Sequence, residues 1–114
     1  MNDEMRLQVL FYRTTGGAEP VREWLKALPI DERKIIGNDL KTAQFGWPLG
    51  MPLIRKLEAD LWEVRSRLPH RIARVIFTVE DSKMVLLHGF IKKSQKTPVE
   101  DLQLARQRMK ALRG

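Results

Sequence analysis

Lysine and arginine side chains are the residues of this sequence best suited to chemistry, and many of them lie in one stretch. The chain has 114 residues and a formal net charge of +7. Residues 55–96 hold ten lysines and arginines against five acidic residues. Guanidinium forks and ammonium groups bind phosphate oxygens, so this excess favours a polyanionic partner. The alternative is that the charge only keeps a small protein soluble.

Other residue types able to do chemistry are few. Cysteine is absent and there are two histidines, which excludes disulfides and thiolate zinc sites. His88 lies in an apolar run and is expected to be a hydrogen-bonded core residue, whereas His70 is expected in an exposed turn. We expect no metal and no cofactor.

The bulk of the sequence also indicates where the protein works. No apolar run reaches the length of about 18 residues that a membrane span needs. The start, Met1 to Glu4, is acidic and polar and does not resemble a signal peptide. We therefore expect a cytoplasmic protein with no membrane partner.

The first half of the chain predicts one strand and two helices. Residues 5–12 form a short apolar run rich in strand formers. Pro20 can begin a helix whose apolar residues recur at helical spacing: Val21, Trp24, Leu25 and Leu28. Asp31 is predicted to cap the next helix, with an inner face of Ile35, Ile36, Leu40 and Ala43. Residues 46–52, rich in glycine and proline, predict a loop.

The second half predicts a sheet followed by a helix. Strands are predicted over residues 53–57, 61–67, 71–79 and 84–91, with a hairpin turn at 80–83. The last strand is apolar on both faces, which indicates a central strand covered on both sides. The final helix has the pattern of a capping box, with Thr97 at the N-cap, Pro98 at the first position and Glu100 at the third. Helices and strands in separate blocks predict an α+β fold, in one domain over residues 1–114.

The period-two pattern of the strand 61–67 separates apolar from charged side chains. Trp62 and Val64 fall on one face, and Glu63, Arg65 and Arg67 fall on the other. In the next strand, Arg74 interrupts an apolar sequence. A buried arginine needs a carboxylate or phosphate partner, so a structural ion pair with Glu63 competes with a role in catalysis.

Three segments carry a resemblance to a known family. They are Leu61 to Arg65 (LWEVR), Arg74 to Phe77 (RVIF) and, most specific of all, Leu86 to Pro98 (LLHGFIKKSQKTP). They resemble the phage-related branch of the RelE/HigB toxins. The resemblance implies two N-terminal helices packed on a curved antiparallel sheet of about four to five strands, plus a C-terminal helix.

The resemblance also implies a function. Such proteins are toxins of type II toxin–antitoxin systems, and many are ribosome-dependent, metal-independent endoribonucleases that cut mRNA and inhibit translation. The implied partners are mRNA on the ribosome and a cognate antitoxin, commonly a helix-turn-helix protein, through which the complex binds operator DNA.

Roles for individual residues follow from that chemistry. Metal-free cleavage needs proton transfer and stabilisation of charge on the phosphoryl oxygens. We predict catalytic roles for Arg65, Arg74, Lys92 and Lys93. We predict RNA-binding roles for Arg55, Lys56, Arg67, Arg71, Lys96 and Trp47.

Alternatives stay open for these residues. Arg67 can equally be a solvated surface residue, and for Arg71 a surface role is favoured. Lys92, Lys93 and Lys96 can form an ordinary solvated loop. Trp47 can equally anchor its loop or contact the antitoxin. The only tyrosine is Tyr12, so the catalytic C-terminal tyrosine of some relatives is missing and the general base is not assigned. A non-catalytic RNA-binding or ribosome-binding protein, or an antitoxin partner acting as co-repressor, is the alternative function. The enzyme predicts that Arg65 and the loop lysines share one concavity, whereas a binding protein predicts a dispersed basic surface.

Overall fold

Three helices and five strands follow one another in blocks along the chain. The computed structural model describes residues 7–48, 50, 52–92 and 96–114. The acidic start and Lys93, Ser94 and Gln95 lie outside the described residues. The elements in order are β1 Gln8–Phe11, α1 Pro20–Lys26, α2 Ile30–Gly46, β2 Ile54–Glu58, β3 Leu61–Arg67, β4 Ile72–Glu80, β5 Lys83–Ile91 and α3 Val99–Arg113. The α+β class is confirmed.

The five strands form one mixed sheet in the order β1-β5-β4-β3-β2. β2, β3, β4 and β5 pair antiparallel in sequence order, but β1 pairs parallel with β5. The expectation of a wholly antiparallel sheet is therefore wrong at β1. The chain passes through two helices and three strands before it returns beside β1, so no tight turn forces these two strands to be antiparallel.

The hairpin between β4 and β5 forms at the predicted turn. Asp81 and Ser82 have positive φ angles of 50° and 64°. Positive φ at both central residues is the geometry of a two-residue hairpin turn whose twist matches the strands. β4 and β5 then pair along their length with one irregularity, between Ile76 and Phe77.

The two faces of the sheet carry different helices. On the helix-pair face, Val64, Val75 and Phe77 belong to one buried cluster with Ile36 and Leu40 of α2. On the opposite face, called the α3 face below, a second buried cluster joins strand residues to Ala105 of α3. Burying each large aliphatic or aromatic side chain contributes about 1.5–3 kcal/mol. Because α1 and α3 both pack on β5, its run is apolar on both faces, as predicted.

The ends of two helices differ from the sequence prediction. α3 begins after Pro98 and α2 begins after Pro29, and neither has a side-chain cap hydrogen bond. Asp31 lies in the first turn of α2 rather than at its cap. The predicted capping box at α3 is wrong because the hydroxyl of Thr97 is used in the tertiary structure, where it bonds to strand side chains. None of the described helices has the length and apolarity to cross a membrane.

Candidate functional site

A group of charged side chains meets on the α3 face, at the end of the sheet where β3 and β5 end and β4 begins. The strand register places Arg65 directly opposite Arg74 and places Arg55 opposite Glu63. Lys92 follows β5 at the same end, and its amide donates a 2.7 Å hydrogen bond to the Ile72 carbonyl. We call Arg55, Arg65, Arg74 and Lys92 the cation cluster.

Arg74, one member of this cluster, forms a buried ion pair with Glu63. Arg74 and Glu63 are both 0% exposed, and Arg74 Nη1 lies 3.4 Å from Glu63 Oε1. The Thr97 hydroxyl joins them, because it accepts a 3.2 Å hydrogen bond from Arg74 Nη1 and donates a 3.2 Å hydrogen bond to Glu63 Oε2. The carboxylate and hydroxyl together offset the cost of burying the guanidinium.

This geometry changes the role predicted for Arg74. A fully buried guanidinium cannot reach a bound RNA, so the expected catalytic contact is not available to it in this structure. Arg74 instead forms the ion pair with Glu63 that was the competing interpretation of the sequence. Arg74 is instead suited to position its neighbours and to add positive charge to the cluster.

The charges of the cluster act on each other. Burial lowers the pKa of the Lys92 ammonium, and the positive charges of Arg74, Arg65 and Arg55 lower it further, while Glu63 opposes them. Burial also lowers the pKa of Arg74; Glu63 raises it, and Arg65 and Arg55 lower it. A lysine among other cations gives up its proton more readily than one in water. Lys92 is therefore the member of the cluster best able to transfer a proton.

Arg65 connects the cluster to an open groove. It is half-buried, and its Nε is buried without a hydrogen-bond partner among the described residues. Arg65 and Arg67 line a groove of about 270 Å³ whose other wall includes Ile35 and Asp39 of α2 and Pro52. Arg67 is exposed farther along the same face. The positive charges of Arg65 and Arg67 beside an open groove are suited to attract an incoming anion.

Two residues predicted to bind RNA lie on the opposite face of the sheet. Lys56 is on the helix-pair face, where its ammonium lies 5.9 Å from the centre of the Trp62 ring. Trp47 packs edge-on against Trp62 and Phe77, at centroid distances of 5.0 and 5.7 Å. Both residues are therefore separated from the cluster by the sheet, and Trp47 anchors its loop to the core.

Arg71 is engaged in a structural contact. Its guanidinium donates two hydrogen bonds to the Glu32 carboxylate, at 2.6 and 3.1 Å. This pair ties the turn before β4 to α2, and the RNA-binding role of Arg71 stays a prediction. The predicted site residue Lys93 falls outside the described residues, and Lys96 is exposed next to Thr97.

The start of α3 makes two contacts that the sequence did not predict. Thr97 carried a signal, but the signal indicated a helix cap. His88 Nε2 lies 2.5 Å from Asp101 Oδ1, and its ring stacks on Phe90 with centroids 5.5 Å apart. The expectation that His88 is hydrogen-bonded is confirmed, although it lies at the interface with α3 and is not fully buried. No three histidine, aspartate or glutamate side chains of the described chain come together as metal ligands.

Comparison with known proteins identifies one family. The model of the family described as phage-derived protein Gp49-like (DUF891) matches residues 23–110. The matched residues include every element from α1 to most of α3, and with them the cation cluster and the buried pair. No curated protein matches the chain.

Proposed function

The chain belongs to the Gp49-like family of phage-derived proteins, and on that premise we propose that it is a toxin that cuts mRNA on the ribosome. The family lies within the RelE/ParE-like toxin superfamily and is associated with toxins of toxin–antitoxin systems. Membership implies an antitoxin partner. We propose further that its activity is that of a ribosome-dependent endoribonuclease and that it belongs to the HigB-like branch. The proposed fold is RelE-like, with two N-terminal helices on the sheet.

The observation that carries the proposal is the grouping of Lys92, Arg65 and Arg55 around a buried pair. A protein that only holds RNA needs cations spread along a surface. Here burial, and then the neighbouring positive charges, lower the pKa of the Lys92 ammonium, and a lowered pKa favours a lysine that transfers protons. The arrangement supports an enzyme over the alternative of a non-catalytic binding protein.

The proposed reaction is attack of a ribose 2′-oxygen on the adjacent phosphorus. Lys92, in its neutral form, accepts the proton of the 2′-hydroxyl as the new P–O bond forms. The bond to the 5′-oxygen breaks, and that oxygen takes up a proton from water. The products are a 2′,3′-cyclic phosphate and a 5′-hydroxyl. Arg65 and Arg55 donate hydrogen bonds to the phosphoryl oxygens, on which negative charge increases in the transition state.

The buried pair holds this arrangement in place. Glu63 lies on β3, Arg74 on β4 and Thr97 just before α3, so their contacts join three segments that surround the cluster. A displacement of about 1 Å at a reacting group can cost on the order of 100-fold in rate. We therefore assign positioning roles to Glu63, Arg74 and Thr97.

Partners and location complete the proposal. The antitoxin is proposed to be a helix-turn-helix protein that carries the complex to operator DNA, and the site of action is proposed to be the cytoplasm. Lys96, on the α3 side of the cluster, and Arg67, on the groove, extend the basic surface along which the message lies.

The proposal is tested by induced expression in a bacterial host, with growth and mRNA ends followed by primer extension. Wild type should arrest growth and produce cuts on translated messages. Arg65→Ala and Lys92→Ala should each lower cleavage by roughly 100-fold, the scale of one catalytic group. Arg65→Lys should recover little, because an ammonium lacks the guanidinium fork.

Lys56→Ala is the matched control. Lys56 neighbours Arg55 on β2 but projects to the helix-pair face, so its loss should leave cleavage unchanged. Folded wild-type protein that produces neither arrest nor cuts would overturn the nuclease proposal. The protein would then be better explained as a binding or co-repressor partner of the antitoxin.

A further inference from the structure

The open groove beside Arg65, called the α2 groove below, has walls of three chemical kinds. It has a volume of about 270 Å³ and is lined by Ile35, Asp39, Pro52, Leu53, Arg65 and Arg67. Three of these side chains are apolar, two are cationic and one is a carboxylate. Pockets that enclose a drug-sized ligand have volumes of about 300–1,000 Å³, so the α2 groove suits one smaller group.

Both sides of the α2 groove are fixed by the fold. Ile35 and Asp39 lie one turn apart on α2, so their side chains are neighbours on the helix surface. The residue after each of them is buried in the core. On the other side, the Arg65 amide donates a 2.9 Å hydrogen bond to the Leu53 carbonyl, which holds the segment before β2 against β3. Side chains held in this way lose little freedom when a ligand binds.

The carboxylate of Asp39 is the group that a simple phosphate site does not explain. Asp39 is half-buried, and it has no hydrogen bond or ion pair with any other residue that the structure describes. A carboxylate repels phosphate oxygens, so it weakens a groove that binds phosphate alone. Its two oxygens accept hydrogen bonds, most strongly from a pair of parallel donors. Asp39 therefore suits a ligand that presents N–H donors beside its anionic group.

A single nucleotide has a counterpart for each of these walls. The faces of its base pack on apolar side chains, its phosphate is attracted by the two arginines, and the edge of its base offers donors to Asp39. Unstacked bases of single-stranded RNA are recognised through their faces and their Watson–Crick edges. Arg65 belongs both to the cation cluster and to the α2 groove. A base in the groove therefore belongs to a nucleotide next to the phosphate at the cluster.

The four bases differ in the donors that they offer to a carboxylate. The Watson–Crick edge of guanine has two adjacent donors, N1–H and N2–H, which match the two oxygens of one carboxylate. Adenine and cytosine have one amino donor beside an acceptor nitrogen. Uracil has one N–H between two carbonyl oxygens, which a carboxylate repels. A bidentate contact to a base edge discriminates against a wrong base by roughly 5- to 150-fold.

We propose that the α2 groove binds a guanine base next to the phosphate that is cut, and that Asp39 selects this base. The Asp39 carboxylate accepts hydrogen bonds from N1–H and N2–H, the base packs on the apolar side chains, and Arg67 binds the phosphate on the far side of the nucleotide. The inference rests on the proposed function for the phosphate that is cut. It makes Asp39 a specificity-determining residue of the same site.

A binding measurement tests the base without relying on cleavage. Uracil-rich oligonucleotides with one central guanosine, inosine or adenosine are made with 2′-fluoro sugars, which lack the attacking hydroxyl. Their affinities for the full chain are measured by fluorescence anisotropy. Guanosine should bind at least about fivefold more tightly than inosine, which lacks the N2 amino group. Asp39→Asn should lose this difference and favour adenosine, because an amide pairs with the donor and acceptor of adenine.

The positions of the cuts test the same residue during the reaction. The mRNA ends from cells that express the wild type should show guanine enriched over uracil, by at least about fivefold, at one fixed position beside the cut. Asp39→Asn should lose this enrichment, which is a ratio among the cuts of one sample and does not depend on total cleavage. Asp31→Asn is the matched control and should keep it, since Asp31 is an exposed acid of α2 outside the lining of the groove.

Two results would overturn the proposal for the α2 groove. The first is equal affinity of the wild type for the guanosine and inosine oligonucleotides. The second is a preference for guanine that Asp39→Asn retains. The proposed nuclease is judged separately: cuts without any enrichment of guanine would refute the base selection alone. Selective binding of guanosine by a protein that makes no cuts would refute the nuclease alone.

Discussion

Removing the charge of Glu63 should destabilise the protein far more than a typical surface substitution. Glu63→Gln keeps the shape of the side chain but leaves the guanidinium of Arg74 buried, with both residues 0% exposed in the wild type. Breaking a buried ion pair by removing one partner costs about 3–5 kcal/mol. The free energy of unfolding of a small domain is about 5–15 kcal/mol in total, so this single change removes a large share of the stability.

Urea denaturation followed by tryptophan fluorescence measures the effect. If the free energy of unfolding falls by about 2 kcal/mol for each M of urea, the urea concentration at the midpoint of unfolding should fall by roughly 1.5–2.5 M. Thr97→Val, which removes only the hydroxyl between the two charges, should cost less, about 1–3 kcal/mol. The order of the two losses follows from the contacts, since Thr97 contributes hydrogen bonds and Glu63 contributes the counter-charge.

A double substitution separates stability from function. Glu63→Leu combined with Arg74→Met replaces the pair by apolar side chains of similar size, which is often neutral or stabilising. The double variant should recover most of the stability lost in Glu63→Gln, yet cut message poorly because the cluster has lost its positioning residues. A loss below about 1 kcal/mol in Glu63→Gln would refute the reasoning, because it would mean that the guanidinium has other adequate partners.

Two further predictions concern Lys92 and Gly89. The pKa of Lys92 is lowered in the folded protein by burial and by its cationic neighbours, so the unfolded chain binds more protons between the folded and unfolded pKa values, and stability should rise with pH across that window. Lys92→Met should abolish this rise, and at pH values below the folded pKa of Lys92 it should melt at a higher temperature than wild type. Thermal melts over a pH series measure the effect, with Lys110→Met as the exposed control. A melting temperature of Lys92→Met that changes with pH in parallel with wild type would contradict the prediction. Gly89→Ala should cost about 1–3 kcal/mol of stability, because its Cβ would overlap the Trp24 ring. Gly37 is an exposed residue of α2 where an added Cβ meets no atom within 4 Å, so Gly37→Ala should stabilise the protein by about 0.5–1 kcal/mol. Urea midpoints that do not separate the two variants would refute the packing argument.

Much of the local structure followed from patterns a few residues long. The alternation from Leu61 to Arg67 predicted both the bounds of β3 and its faces, because neighbouring side chains of a strand point to opposite sides. The polar tetrapeptide after β4 predicted the hairpin. The apolar run of β5 predicted a strand covered on both sides. The lone arginine in β4 indicated that Arg74 needs a buried partner, and Glu63 was among the candidates.

The sites where the prediction was wrong depend on contacts between residues distant in the sequence. Thr97 has the local pattern of a cap, but its hydroxyl bonds to Glu63, 34 residues away. For Trp47 the sequence left RNA binding and loop anchoring equally open, and only the packing on Trp62 and Phe77 distinguishes them. No local pattern shows that Arg71 bonds to Glu32, or that β1 lies parallel to β5.

The sequence by itself determined which residues form strands and helices, which strand faces are apolar, and that cations are concentrated in the second half of the chain. The tertiary structure alone decided which cations meet. Arg55, Arg65 and Lys92 come from three strands or their ends, and strand order and register bring them together around Glu63 and Arg74. The lowered pKa of Lys92 is a property of that assembly, since burial and through-space charge act between groups that the sequence keeps far apart.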